Sequence, residues 1–294
     1  MFRRNANNYS AIETVRNNYD GAYHKTVSVV IPCYNGEMLL RRCLASLAAQ
    51  TYPGNLVEVI VCDDGSDDDI RSVVTRYSNV LNTRYIHQPR AGWRLSTARN
   101  SGILLSDGEI ILSLDSDIMA PPGWLEEHLK WFHVANSIAS LGTRRFVDAS
   151  TVMPDDLVLG KFAKVMQLPD VRSQSNRLGQ RDKRLLEFEL FKHHPYPFNC
   201  FHGCNVAYRK CDAVDAGMFD ESFNGNPGYE DIEFGLRLWK LGAVIVYEPR
   251  AFVFHQENGI TTSEQRARGH VVNRQLLYER VPQLKHFRHH LAQD

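Results

Sequence analysis

The sequence predicts an α/β protein with a mostly parallel central sheet, and three observations carry that prediction. Apolar runs of strand length recur at Val27-Ser-Val-Val-Ile31, Val57-Glu-Val-Ile-Val-Cys62 and Glu109-Ile-Ile-Leu-Ser-Leu114. Stretches with helical spacing lie between them, and each run ends abruptly in proline or carboxylates. Runs apolar on both faces suit strands covered by helices on each side. Strand and helix alternating at this rhythm imply right-handed βαβ units.

The elements follow in order. Residues 1–25 are polar and tyrosine-containing, and read as an arm or short helix on the outside. The first strand, residues 27–31, stops at Pro32. Over residues 37–50, Met38, Leu39, Leu40, Cys43, Leu44 and Leu47 recur at helical spacing. Pro53-Gly54 breaks that helix before the second strand, residues 57–62. The turn Asp63-Asp-Gly-Ser66 follows, with Ser66 or Asp67 as N-cap of the next helix. Residues 84–87 form a short third strand, residues 96–105 a helix, and residues 109–114 the next strand. Strand alternation from there puts Asp115 and Asp117 on one face, about 7 Å apart.

The second half is less regular. Residues 123–135 and 155–166 read as helices, residues 137–147 as extended, and residues 168–182 as a polar loop of the kind that forms lids. Residues 205–208 return to strand. Residues 229–241 form an amphipathic helix through Ile232, Phe234, Leu236, Leu238 and Trp239, stopped by Gly242. Two short strands, residues 243–247 and 252–255, precede a basic helical tail from Ser263. The expected organisation is an arm over 1–25, one domain over 26–260 with halves 26–120 and 121–260, and an extension over 261–294.

Composition narrows the function. Of 294 residues, 43% are hydrophobic and 23% charged, as in a soluble protein with a sizeable core. Lys plus Arg equals Asp plus Glu at 34 each, so no global field favours nucleic acid. No run approaches the roughly 18 apolar residues of a membrane span, and the first ten residues lack a signal-peptide core. A cytoplasmic protein is expected, with peripheral attachment at the membrane left open. The C-terminal basic helix is expected to cap the domain, with homodimer formation or contact with anionic lipid as alternatives. Cys33 and Cys62 end apolar strand-like runs and Cys43 sits on a helical apolar face, so buried free thiols are expected. A zinc reading of Cys200-Phe-His202-Gly-Cys204 is disfavoured, since it lacks the paired spacings of structural sites.

Asp115, Ser116 and Asp117 carry the first chemical signal. Two hard oxygen ligands at the carboxyl end of a strand can hold Mg2+ or Mn2+ together with substrate phosphates. Ligands of open α/β sheets bind at that end. A solvated acidic turn is the other reading of the same residues.

With these elements placed, the chain resembles nucleotide-sugar-dependent glycosyltransferases of the GT-A fold, family two. The motifs come in order: Val29-Val-Ile-Pro-Cys-Tyr-Asn35, Cys62-Asp-Asp-Gly-Ser66, Ala98-Arg-Asn-Ser-Gly102, Leu114-Asp-Ser-Asp117 and Gly228-Tyr-Glu-Asp-Ile-Glu-Phe-Gly235. The passage from Gly203-Cys-Asn-Val-Ala-Tyr208 to His255-Gln-Glu257 looks most like the transferase domains of bacterial chondroitin-type polymerases. Those chains join two such domains; the single copy here points to addition of one sugar.

The resemblance implies a GT-A fold, a single nucleotide-binding α/β/α sandwich with an acceptor-side subregion. It implies a UDP-sugar donor, Mn2+ or Mg2+, and an inverting single displacement. Pro32, Tyr34 and Asp63, with Asp64 beside it, would hold uracil, although Asp63-Asp64-Gly-Ser also reads as a plain turn. Arg99 and Asn100 would face the donor, where an arginine could balance the diphosphate; an exposed surface arginine is the alternative. Asp115 would lie near the ribose with Ser116, and Asp117 and His255 would hold the ion. Asp231 would take the acceptor proton, with Glu230 holding acceptor hydroxyls or serving as the base itself. The acceptor would be a hydroxyl on a glycan, lipid-linked sugar, natural product or peptide. Residues 168–182 and 193–198 are expected to line its side. Two other functions fit parts of the pattern: a sugar-phosphate nucleotidyltransferase, which would need a glycine- and arginine-rich loop after the first strand, and a non-catalytic carbohydrate-binding relative. A dinucleotide oxidoreductase is disfavoured by the absence of Gly-x-Gly-x-x-Gly.

Overall fold

A computed structural model describes residues 7–19, 21, 24–158, 160–171, 188–257, 264–282 and 284–287. The strands are β1 (Val27–Cys33), β2 (Val57–Asp63), β3 (Asn82–His87), β4 (Ile110–Leu114), β5 (Ile118–Met119), β6 (Ile138–Val147), β7 (Asn205–Arg209) and β8 (Val244–Gln256). The helices are α1 (Ser10–Asn17), α2 (Glu37–Ala48), α3 (Ile70–Tyr77), α4 (Leu95–Leu105), α5 (Trp124–Val134), α6 (Ala163–Met166), α7 (Lys210–Asp215), α8 (Glu230–Lys240), α9 (Glu264–Arg280) and α10 (Leu284–Phe287). The strands form one sheet in the order β3-β2-β1-β4-β7-β6-β8-β5. The β3-β2-β1-β4 block is parallel, as is β6 with β8, while β7 runs antiparallel to both its neighbours. β1 and β4 are buried along their whole length, as expected for strands covered on both faces.

Several boundaries differ from expectation for identifiable reasons. β1 continues through Pro32 to Cys33. The Cys33 carbonyl accepts from Asp64 N–H on the β2 side (2.8 Å), so Pro32 faces β4. The β1–β4 ladder has already ended at Val30 there, and no donor is missed. The N-cap of α3 is Asp69, which accepts from Ser72 N–H (3.1 Å), rather than Ser66 or Asp67. Those two residues instead tie down Asn35. Ser66 Oγ accepts from Asn35 N–H (2.7 Å), and Asn35 Oδ1 accepts from Asp67 N–H (2.8 Å).

The helix expected over 155–166 divides into a 3-10 turn, Pro154–Leu157, and the single turn of α6, with Gly160 at φ +87° between them. The two late strands are one, β8. Its residues 248 and 253 pair with residues 142 and 144 of β6, and the surplus around Pro249 bulges out. The arm is anchored, because Arg16 of α1 is buried and ion-paired to Glu127 and Glu248 at 2.5 Å each. Of the lid expected over 168–182, residues 172–182 lie outside the described residues.

Candidate active site

The carboxyl ends of β1, β2 and β4 and the N-terminus of α8 open on one cleft of about 740 Å³. Of the residues expected to act, Pro32, Tyr34, Asp64, Arg99, Asp115, Ser116, Asp117, Glu230 and Asp231 line it. Three others, Asp63, Asn100 and His255, are not among its lining residues. Asp63 turns into the fold, where Oδ1 accepts from Ser66 N–H (2.8 Å) and Oδ2 from the Tyr85 hydroxyl (2.6 Å). Asn100 exchanges hydrogen bonds with the Phe219 backbone (2.8 and 2.9 Å) and donates to Glu221, so its amide holds a neighbouring loop. Of the aspartate pair it is therefore Asp64 that faces the cleft. Asp64 accepts from Gln88 Nε2 (2.7 Å) and Arg94 N–H (2.9 Å) and lies near Arg90, whose guanidinium covers the Tyr34 ring at 3.8 Å.

Asp115 and Asp117 reach the cleft by a different route from strand alternation. β4 ends at Leu114, and Ile118 N–H donates to the Asp115 carbonyl (3.2 Å), closing a turn over residues 115–118. Asp117 then faces His255 from β8, with Oδ2 and Nε2 3.4 Å apart. β5 pairs antiparallel with β8 in the register Ile118↔His255, which brings the two together across well over a hundred residues of sequence. On its other nitrogen His255 lies 3.3 Å from Glu257. Burial at the cleft floor pushes the Asp117 carboxyl up, against the opposing pull of His255, although its side chain keeps 31% exposure.

Arg99 lines the cleft as a buried side chain paired to two carboxylates, not as an exposed surface arginine. It is 2% exposed, with Nη2 3.0 Å from Asp115 and Nη1 2.8 Å from Glu230. Burial works against its charge, but Asp115 and Glu230 more than offset that and raise its pKa. Its charge is thus committed to a strut joining the β4 end to the α8 start. Gly203 lies flat against it: a Cβ there would sit 2.8 Å from the guanidinium carbon. Gly203 N–H in turn donates to Asp231 Oδ2 (3.0 Å). Asp231 and Glu230 open α8 just after Gly228 and Tyr229, both at positive φ (+85° and +72°). A tyrosine in this region is strained by about 1 kcal/mol or more, a cost that concentrates at functional segments. Burial and then Asp231 push the Glu230 carboxyl up to about 7, against Arg99.

Residues 28–210 match the description Glycosyl transferase family 2. The chain belongs to glycosyl transferase family 2. Among curated relatives of this glycosyltransferase, the chondroitin synthase of Escherichia coli is 32% identical over 87% of the chain, which spans 38% of that relative's length. S. aureus TarS, solved in complex with UDP-GlcNAc, superposes with a TM-score of 0.58 at 21% identity, over 82% of this chain and 60% of that one. The mannosyltransferase PcManGT from Pyrobaculum calidifontis, solved with GDP-Man and Mn2+, gives 0.59 at 20% identity, over 89% and 68%. At those identities the likeness is one of fold, and the fold is the GT-A type.

In this family-2 glycosyltransferase, Asp117 and His255 are the pair that would hold a divalent cation. Among the described residues no cluster of three His, Cys, Asp or Glu converges for a metal. Asp117 Oδ1 is nevertheless buried without a hydrogen-bond partner, on a side chain that lines the cleft and whose Oδ2 faces His255. An orphaned carboxylate oxygen with one imidazole fits Mn2+ or Mg2+ that draws further ligands from phosphate and water.

The motifs left some of the lining unseen, Arg144 and His270 among it. Arg144 is aimed by the irregularity between Gly142 and Arg144 in β6, and contacts Cys204 Sγ and His202 Nδ1 at 3.3 Å each. The one local signal for that bulge was the glycine inside a strand pattern. Residues 193–198 were expected near the acceptor; Phe198 instead packs in the core against Trp239 (5.4 Å). The described residues contain no helix long and apolar enough to cross a membrane.

Proposed function

We propose that this glycosyltransferase moves a sugar from a UDP-sugar to an acceptor hydroxyl by a single inverting displacement that depends on a divalent cation. The observation that carries the reading is one cleft lined by Asp64, Asp117 and Asp231, with His255 3.4 Å from Asp117. The relatives solved with UDP-GlcNAc, or with GDP-Man and Mn2+, support a nucleotide-sugar donor and a manganese-type cofactor.

In this reading the uracil lies beside Tyr34 and Asp64, and the imide N–H donates to the Asp64 carboxylate. Asp115, held by Arg99, faces the ribose. Asp117 and His255 hold the cation, which when bound neutralises charge on the departing diphosphate oxygen. The acceptor oxygen attacks the anomeric carbon as the bond to the diphosphate oxygen breaks, and the hydroxyl proton passes to Asp231. No acid is needed, because a diphosphate leaves without protonation, unlike the alcohol released in glycoside hydrolysis. Attack from the face opposite the leaving group inverts the anomeric centre. The acceptor is a hydroxyl on a glycan, lipid-linked sugar, natural product or peptide, and the chondroitin synthase likeness supports a glycan.

The test is a panel of nucleotide sugars incubated with Mn2+ and scored for slow donor hydrolysis. One UDP-sugar should be cleaved well above the others. Cleavage of none of them, or preference for a purine nucleotide, would refute the donor assignment.

A further inference from the structure

The residues matched to the family end at 210, yet the cleft is completed from α9, more than fifty residues later. His270 lines the cleft, seated on Gly228 so closely that a Cβ there would lie 2.6 Å from its ring. One turn on, Asn273 is 1% exposed, and its Nδ2 lies within hydrogen-bond reach of three carbonyl oxygens: Phe223 (3.0 Å), Asn226 (2.8 Å) and Gly228 (3.0 Å). A side-chain amide has two N–H donors, so one is shared. These carbonyls belong to the segment that leads into Tyr229 at φ +72° and then to Asp231. That turn is held against its own backbone preference, and such conformations persist only where the surroundings fix them. Farther along, Arg280 pairs with Asp220, and Leu277 and Val281 are buried in the core, so the chain is anchored on the C-terminal side of Asn273.

We propose that α9 is part of the catalytic apparatus, with Asn273 the positioning residue that holds the 223–228 segment so that Asp231 meets the attacking hydroxyl. The proposal rests on Asp231 being the base. Removing the amide takes this donor from three carbonyls and lets the turn relax, which displaces the carboxylate. Displacements of about 1 Å at a reacting group cost on the order of 100-fold in rate.

The experiment compares full-length Asn273→Ala with wild type, Asp231→Asn and Val272→Ala, an exposed position on the same helix. Hydrolysis of UDP-N-acetylglucosamine, UDP-N-acetylgalactosamine and UDP-glucuronate with Mn2+ is read as kcat, and UDP affinity and stoichiometry by calorimetry. The expected result is a fall in kcat of at least about tenfold for Asn273→Ala, with UDP affinity and stoichiometry unchanged and Val272→Ala at the wild-type rate. Asn273→Ser, which restores one donor, should hydrolyse faster than the alanine variant. If the alanine variant does not fold, the same split in the serine variant carries the test. Wild-type turnover in the variants, or UDP binding lost in step with turnover, overturns the positioning role. Asp231→Asn at the wild-type rate removes the base itself, and a wild type that hydrolyses none of the three donors removes the UDP-sugar reading; either also overturns the role of Asn273.

Discussion

Asp231 and Glu230 are neighbours in the first turn of α8 but differ in their partners. Asp231 Oδ2 accepts from the Gly203 amide, whereas Glu230 is 5% exposed and ion-paired to buried Arg99. Asp231→Asn keeps the shape and removes the proton acceptor. Transfer should fall by about 100- to 10,000-fold while UDP still binds, and steady-state turnover set beside calorimetry checks this. Glu230 makes a pH prediction. Its folded carboxyl titrates near 7, against an ordinary value of 4.5, so between those values the folded chain holds a proton that the unfolded chain has released. Stability from this group is therefore full below about 4.5 and declines as pH rises through about 7. Denaturant unfolding at pH 5 and pH 8 should show that decline in wild type and a smaller one in Glu230→Gln; equal slopes would place the titration elsewhere. The sequence made these two acids visible as helix-start residues. It could not show that Arg99 is spent on Asp115 and Glu230, because a side chain's partners depend on contacts made far along the chain.

Among the elements, β6 carries the sharpest constraint. Gly142 sits at the step where β6 loses register with β8, and a Cβ there would meet the Ala251 carbonyl oxygen at 2.0 Å and the Asn205 amide at 2.3 Å. Asn205 holds this place by donating to the carbonyls of Thr143 (3.0 Å) and Ala251 (2.8 Å) while accepting from Trp124 Nε1 (2.9 Å) and His128 Nε2 (3.0 Å). Gly142→Ala should therefore destabilise by about 1–3 kcal/mol. Gly54→Ala, with nothing within 4 Å of its Cβ, should be near neutral. Thermal melts of the two variants decide it, and similar melting temperatures would mean that the bulge tolerates a side chain. Regular elements such as α2 and β2 were readable from periodicity. The β6 bulge, the join of two late strands into β8 and the break within 155–166 were not, since pairing across strands sets them rather than local pattern.

At the scale of the molecule, the sheet brings together groups that the chain separates. Asp117 follows β4, His255 ends β8, and the two-residue β5 sets them face to face. The order of five motifs foretold the cleft and its acidic floor. It did not foretell that Asp63 and Asn100 turn away, nor that α9 supplies a wall, because α9 lies beyond the motifs. The central claim is that Asp117 and His255 hold a cation that helps bind the donor diphosphate. Calorimetric titration of UDP into wild type, Asp117→Asn and His255→Ala, each with and without Mn2+, tests it most directly. The account predicts that Mn2+ tightens UDP binding in wild type and that the gain is largely lost in both variants. An equal gain from Mn2+ in all three proteins would contradict it.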